Sequence, residues 1–477
     1  MSEAATHKEY SAPSSSSGRP ETKRTHYRWV ICALLFFATT INYLDRQVFG
    51  ILGPNLTEAF HWTETDFSLI VSAFTLAYAI GYVAAGRMMD RIGVRRGFAV
   101  AVSLWSAAAM AHGLVQPLVQ SGLPWLNTAF AGTLLGALTP AMLSVAGFSA
   151  ARFALGMAEG GNFPGAIKTV GQWHPTKERA LSTGIFNSGS NVGIIVAAYT
   201  VPCIIDDMGW SWATAFYLTG ALGFVWLAFW LALYDNPERH PKVSAAELAY
   251  IHSDSPDPPA QIAWISLLRY RQTWAYTLAM FLVSPVWWFY LYWLPKFLKN
   301  NHGIDLGQVF WPLLLVYLLA DLGSVVGGAF SSWLIHRGAT VNFARKAAFL
   351  ACSLGTLPVV SVARLGSMWA AVFLIGLAAA AHAGFAANLF TVVSDTVPRK
   401  AVSSVVGIGG LAACVGMLVF STLIGIFLDW TEARYGQKDY LIPFLISGSV
   451  YLLATTVIHL LLPRLEPMRF DAAERRT

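Results

Sequence analysis

The chain has 477 residues, of which 55% are hydrophobic and only 12% charged, with a mean hydropathy of +0.52. Soluble proteins carry about 25% charged residues, so an ordinary soluble domain is excluded. The net charge of +6 and pI near 9.1 do not point to nucleic acid, because the basic residues sit in short loops between apolar runs.

Residues 1–27 begin as a Ser- and Pro-rich tail with no apolar core and read as disordered. The apolar run that follows is too long for a signal-peptide core and lacks a small-residue cleavage site, so it is a retained helix. A bilayer is crossed by about 20 apolar residues. By that measure twelve spans fall near 28–49, 67–89, 96–116, 141–166, 178–202, 212–234, 274–298, 309–335, 345–364, 367–394, 401–429 and 440–462. The fold class is an all-α polytopic membrane protein. The stretch 117–140 is apolar but interrupted by Pro and Gly. It reads as an enlarged outer loop dipping into the interface, since a thirteenth span would invert everything after it.

A polar central loop, 235–273, divides the chain into halves 28–234 and 274–462, and 463–477 forms a tail. Within the loop, Ser244 is placed to cap a short helix, with Glu247 three residues on. Of the 32 Lys and Arg, 25 fall on the side of the termini, five on the other side (Lys296, Lys299, Arg364, Arg434 and Lys438), and two, Arg46 and Arg152, within the membrane. Positive charge stays cytoplasmic, so both termini are expected there. Cys32, Cys203, Cys352 and Cys414 lie in or beside apolar runs without a C-x-x-C pair, which implies neither disulfides nor a metal site.

Sliding the chain by 223 residues lays "PTKERALSTGIFNSGSNVG" over "PRKAVSSVVGIGGLAACVG" and places Glu159 on His382. Such parallel repeats occur in transporters with a central site. Four charges lie at mid-membrane depth: Asp45, Arg46, Arg152 and Glu159. Each costs a few kcal/mol at least, so a function is expected of them. Arg152 and Glu159 share a helix face about 10 Å apart. Asp45 and Arg46 are adjacent, differ by about 100° around the helix, and cannot aim alike. Two readings stay open: anion and proton sites, or permanent ion pairs of Asp45 with Arg152 or Glu159 with Arg46.

"GRMMDRIGVRR" (86–96) has the form G-x3-D-R-x-G-x-R-R and resembles the signature loop of the major facilitator superfamily. Its positions are Gly86, Asp90, Arg91, Gly93, Arg95 and Arg96. Gly86 permits close helix approach, and Asp90 can engage a neighbouring helix end. The second-half equivalent, "GGAFSSWLIHRG", lacks the Asp. "INYLDRQ", "ARFALGMAEGGNFPGAIK", "WHPTKERALSTGIFNSGSNVG" and "VVSDTVPRK" resemble the anion:cation symporter family, and "SPVWWFYLYWLPKFL" with "SVVGIGG" resembles its hexuronate branch. The resemblance implies two pseudo-symmetric six-helix halves, import of a sugar-acid anion with protons by alternating access, and a monomer in the inner (plasma) membrane. It implies Asp45 and Glu159 as protonation sites, with Arg46 and Arg152 near the anion. Several family members carry Gln where this chain has Ser190.

The remaining cavity candidates are Tyr43 beside the charge pair, Asn191 on span five, His382 and Asn388 on span ten, and Trp288 and Tyr290 on span seven. Pro285 and Pro295 flank that aromatic run and suggest a bend. Asp321 is read as a structural cap. No G-x4-G-K-[ST] loop occurs, which argues against ATP-driven transport, and no nucleophile-elbow context supports an enzyme. No cofactor or metal is implied. A carrier of another carboxylate, such as an aldonate, aldarate or aromatic acid, is the nearest alternative. A membrane sensor on the same fold is the alternative of another class.

Overall fold

The protein, seen here as a computed structural model, is described over residues 24–129, 131, 133, 138–253, 264–303 and 310–468. Most of the N-terminal tail and the end of the C-terminal tail lie outside these residues. The first half contains α1 (Tyr27–Phe60), α2 (Glu64–Ile92), α3 (Val94–Ala111), α4 (Pro140–Glu159), α5 (Asn162–Trp173), α6 (Thr176–Pro202) and α7 (Trp212–Leu233). A short helix α8 (Ala245–Ile251) follows. The second half contains α9 (Arg271–His302), α10 (Phe310–His336), α11 (Val341–Thr356), α12 (Met368–Thr396), α13 (Val402–Tyr435) and α14 (Leu441–Leu461).

Eleven segments among the described residues are long and apolar enough to cross a bilayer, and α9, at 32 residues, adds a less apolar helix of spanning length. The chain is a multi-pass membrane protein. The stretch read as an outer loop folds differently. After α3 the chain stays helical through tighter and wider turns to Ala129, so span three extends well into the stretch read as a loop. Span four breaks at Gly160–Gly161, between α4 and α5.

Local chemistry sets the helix ends. Thr63 and Asp66 form a reciprocal capping box at the start of α2. Thr139 caps α4 ahead of Pro140, and Ser367 caps α12. Gly93, at φ +82°, turns the chain sharply between α2 and α3 inside the 86–96 loop. α9 stays helical through both prolines. Pro285 cannot bond the Phe281 carbonyl, and Gly416 of α13 packs directly against that carbonyl and the proline ring.

Within the first half α1 packs on α6, α2 on α4 and α3 on α7; within the second, α10 packs on α12, α9 on α13 and α11 on α14. Two seams join the halves, α2 with α13 and α6 with α10. Both depend on glycine. Gly86 lies against Ser403 and Gly407 against Tyr82 on one seam, and Gly184 against Ser324 and Gly328 against Ala180 on the other. A Cβ at any of the four would run into the opposing backbone.

α8 belongs to the first half. Ser244 accepts from the Glu247 amide at 3.2 Å, as expected of a cap. The Glu247 carboxylate turns away to accept from Thr25 Oγ1 (2.6 Å), Tyr27 N (3.0 Å) and Arg28 Nη1 (3.0 Å). Arg28 also grips Glu178 at 2.7 Å, and Glu178 accepts from Tyr250. Burial opposes ionisation of Glu247, but the donors from Thr25, Arg28 and Tyr27 outweigh it and hold the carboxyl below the usual glutamate value.

Candidate functional site

Midway along α1 the charge pair divides. Arg46 points to the gap between the halves. Its Nε and Nη2 donate to Glu159 Oε2 at 3.0 and 2.9 Å, and Nη2 also reaches Asn42 Oδ1 at 3.3 Å. Tyr43 and Tyr78 lie against the guanidinium at 4.5 and 4.3 Å, with Phe74 at 5.1 Å. Aromatic faces strengthen a desolvated cation's hold. Of the two ion pairs weighed in the sequence, the Arg46–Glu159 pair is formed. Arg152 lies over Phe49 at 4.2 Å and donates to the Arg46 carbonyl at 3.2 Å.

Asp45 turns the other way. It is 2% exposed, lines neither chamber, and faces Thr219 of α7; among the described residues neither its oxygens nor the Thr219 hydroxyl meets a partner at full hydrogen-bond geometry. The side chains of Asp45 and Arg152 are not paired with each other.

Two connected chambers occupy the gap. The inner one, of about 120 Å³, is lined by Tyr43, Arg46, Asn191, Trp287, Trp288 and His382 among others. The second, of about 520 Å³, shares Tyr43, Arg46, Tyr78, Trp287 and Trp288 with it and continues past Arg152 toward Phe67 and Val71, away from the 86–96 loop. On the second-half wall His382 Nδ1 is 2.6 Å from Tyr451 Oη, and its ring stacks on Trp287 at 5.5 Å.

Two expected cavity residues are elsewhere. Asn388 is fully buried, and its Nδ2 donates to the carbonyls of Gly327 (2.9 Å) and Gly384 (3.0 Å), tying α12 to α10 where glycines bring the helices together. Tyr290 is 3% exposed and packs against Phe289 in the second-half core; Trp287, one turn earlier, takes the wall. Asp321 caps no bend. It accepts from Asn191 Nδ2 at 2.7 Å across the α6–α10 seam.

The end bearing the 86–96 loop is shut. Asp90 accepts from Lys168 Nζ at 2.7 Å and from the Ser404 amide at 2.8 Å, at the start of α13. A carboxylate there suits the positive end of a helix. Ser403 donates to the Pro164 carbonyl at 2.8 Å. Arg179 donates to Ser394 O and Asp395 Oδ1 at 2.8 and 3.1 Å, while Arg345 holds the other Asp395 oxygen at 3.0 Å and donates to Thr176 O. Within the loop, Arg91 and Arg96 are exposed and Arg95 reaches Leu231 O at 2.8 Å. Sequence reasoning missed Tyr78, Trp287 and the Arg179–Asp395 bridge. An aromatic every fourth residue in "FTLAYAIGY" was the available signal for Tyr78.

A helical bundle with a central, one-sided cavity invites comparison with carriers. A hexuronate transporter from Escherichia coli (strain K12) is 28% identical over 416 residues, covering 84% of this chain and 88% of its own. A galacturonate transporter from Dickeya chrysanthemi is 31% identical over 347 residues, covering 71% of this chain and 91% of its own. The solved proton:xylose symporter XylE superposes with a TM-score of 0.67 at 15% identity, over 92% of this chain and 97% of that one. These relatives are transporters, not enzymes. The family model described as Major Facilitator Superfamily matches residues 35–381, and the chain belongs to that superfamily.

Proposed function

We propose that the protein is a secondary transporter that imports a hexuronate, or a closely similar sugar-acid anion, by proton symport. The observation that carries this is the ion pair between Arg46, which lines the cavity, and Glu159, which is buried behind it. Guanidinium offers a planar two-donor edge matched to a carboxylate. Here Glu159, itself a carboxylate, holds that edge. A proton on Glu159 removes its charge and loosens its grip, so the same edge becomes available to a substrate carboxylate. Proton and anion then bind together. Arg152 lies along the wider chamber and guides the anion inward, and the buried Asp45 serves as the second proton site. The names of the two bacterial relatives support a uronate as cargo.

The bias of Lys and Arg supports an inner (plasma) membrane orientation with both termini and the 86–96 loop in the cytoplasm. In that frame the wider chamber opens outward and the ionic latches close the cytoplasmic end. Import requires the halves 28–234 and 274–462 to rock about the site, breaking the Asp90–Ser404 and Arg179–Asp395 links, within a single monomeric chain. The test is uptake of labelled D-galacturonate into proteoliposomes under an imposed proton gradient. The reading expects accumulation that a protonophore abolishes. Accumulation that follows sodium and ignores pH contradicts proton symport, and a cellular response without accumulation marks a sensor.

A further inference from the structure

We propose that Tyr451, which does not touch the cavity, is a positioning residue that fixes His382 with its proton on Nε2, so that the second-half wall offers one oriented hydrogen-bond donor to a neutral oxygen of the sugar acid. This rests on the reading of the cavity as a uronate site. Tyr451 is fully buried on α14, enclosed by Phe385 at 5.4 Å, and its hydroxyl has one partner among the described residues, His382 Nδ1 at 2.6 Å.

A phenol has a single proton to give. If Nδ1 carried a proton and donated to Tyr451, the phenol proton would be left in an apolar interior with nothing to receive it, which is costly. Both groups are satisfied only when Tyr451 donates to Nδ1. Neutral imidazole then carries its proton on Nε2. Among the described residues the ring's one hydrogen bond is the one at Nδ1, and the ring lines the inner chamber. Trp287, stacked on the ring at an interplanar angle of 14°, removes its remaining freedom to tilt. Arg46, on the opposite wall, takes the carboxylate, so the His382 donor meets the hydroxyl-bearing part of the ligand. An oriented donor rejects ligands lacking the acceptor, because it then stays unpaired on binding.

The experiment uses the full chain in detergent, with D-galacturonate and its monodeoxy analogues as probes. Tyr451→Phe keeps the ring and deletes the hydroxyl. It is expected to weaken D-galacturonate binding by about tenfold and to erase the penalty paid by one deoxy analogue. His382→Gln keeps an amide donor near the Nε2 position without needing Tyr451. In that background Tyr451→Phe is expected to change affinity by less than about twofold. Equal losses in both backgrounds would make Tyr451 a packing residue and overturn the proposal. Nitrogen-15 spectra of histidine-labelled parent protein read the tautomer directly: the signal lost in His382→Gln should show protonated Nε2 and bare Nδ1, and the reverse overturns the assignment. If His382→Ala binds D-galacturonate like the parent, His382 is not a ligand group and the uronate placement fails, whatever the spectra show.

Discussion

The two walls of the cavity are built from opposite materials. The first-half wall carries Arg46 and Arg152 among Tyr43, Tyr78 and Phe74, with Glu159 buried behind Arg46. The second-half wall carries His382, Trp287 and Trp288, with Tyr451 behind, and no charged side chain of that half lines the inner chamber among the described residues. The 223-residue shift lays Glu159 on His382, so matched positions of the two halves carry an acid on one side and a histidine on the other. The difference teaches a division of labour. On the proposed reading, charge and protons are handled by one half, and the shape and hydroxyls of the ligand are read by the other. A carrier that must couple an ion to a solute gains from this, because the coupling group can titrate without disturbing the recognition surface.

The largest expected effect lies on the charged wall. Arg46→Lys keeps the charge but loses the planar edge, and binding of D-galacturonate should fall about a hundredfold or more. Equal affinity in the Lys variant would show that no two-donor bond is made. Glu159→Gln mimics the protonated acid. It should bind substrate as well as the parent or better and still exchange it, while proton-driven accumulation disappears. Counterflow and uphill uptake, measured side by side, check this.

Asp45→Asn is the next test, and the structure sharpens it. A strut would strand a buried charge when its partner is neutralised, at a cost of about 3–5 kcal/mol. Among the described residues no cation is paired with Asp45, so the Asn variant is expected to fold and bind normally. Loss of accumulation with retained binding would make it a proton site. Normal accumulation would leave Glu159 to act alone. On the neutral wall His382→Ala should cost about tenfold in affinity, without altering the dependence of uptake on the proton gradient. A change in that dependence would blur the contrast between the walls.

The smallest effect is far from both. Glu247 fastens α8 to the start of α1, and its carboxyl is held below the ordinary value. A depressed carboxyl stabilises the fold above its unfolded pKa of about 4.3, and that contribution disappears as pH falls through the lower folded value. Glu247→Gln should therefore lower the melting temperature at pH 7, and the gap between variant and parent should close below about pH 4. Transport kinetics of the folded fraction should be unchanged.

Much of this was legible in the residues. Run lengths place the starts of the spans within a few residues, although the first runs on to Phe60 and the third to Ala129, and the 86–96 motif names Gly86 and Asp90 for the roles they occupy at the α2–α13 seam. The helix angle between Asp45 and Arg46 says that they diverge. It does not say which faces the cavity, because a sequence fixes angles between neighbours and not the rotation of a helix in its bundle. Asn388 and Tyr290 misled for a related reason. A polar group in a span announces a partner, but that partner can be a carbonyl exposed where glycines bring two helices together, as at Gly327 and Gly384. The Asp90–Ser404 link joins residues 314 apart in sequence, and only the folded chain shows it. The extension of span three through 117–129 was hidden by Pro117 and Gly122, which the helix absorbs with altered turns.

The central claim is that a proton on Glu159 is what frees Arg46 for the anion. Calorimetric titration of purified protein with D-galacturonate, repeated in buffers of different ionisation enthalpy, counts protons taken up on binding. The expected result is an uptake approaching about one proton by the parent above neutral pH and none by Glu159→Gln. Binding by the parent without proton uptake, or an undiminished uptake in Glu159→Gln, would contradict it.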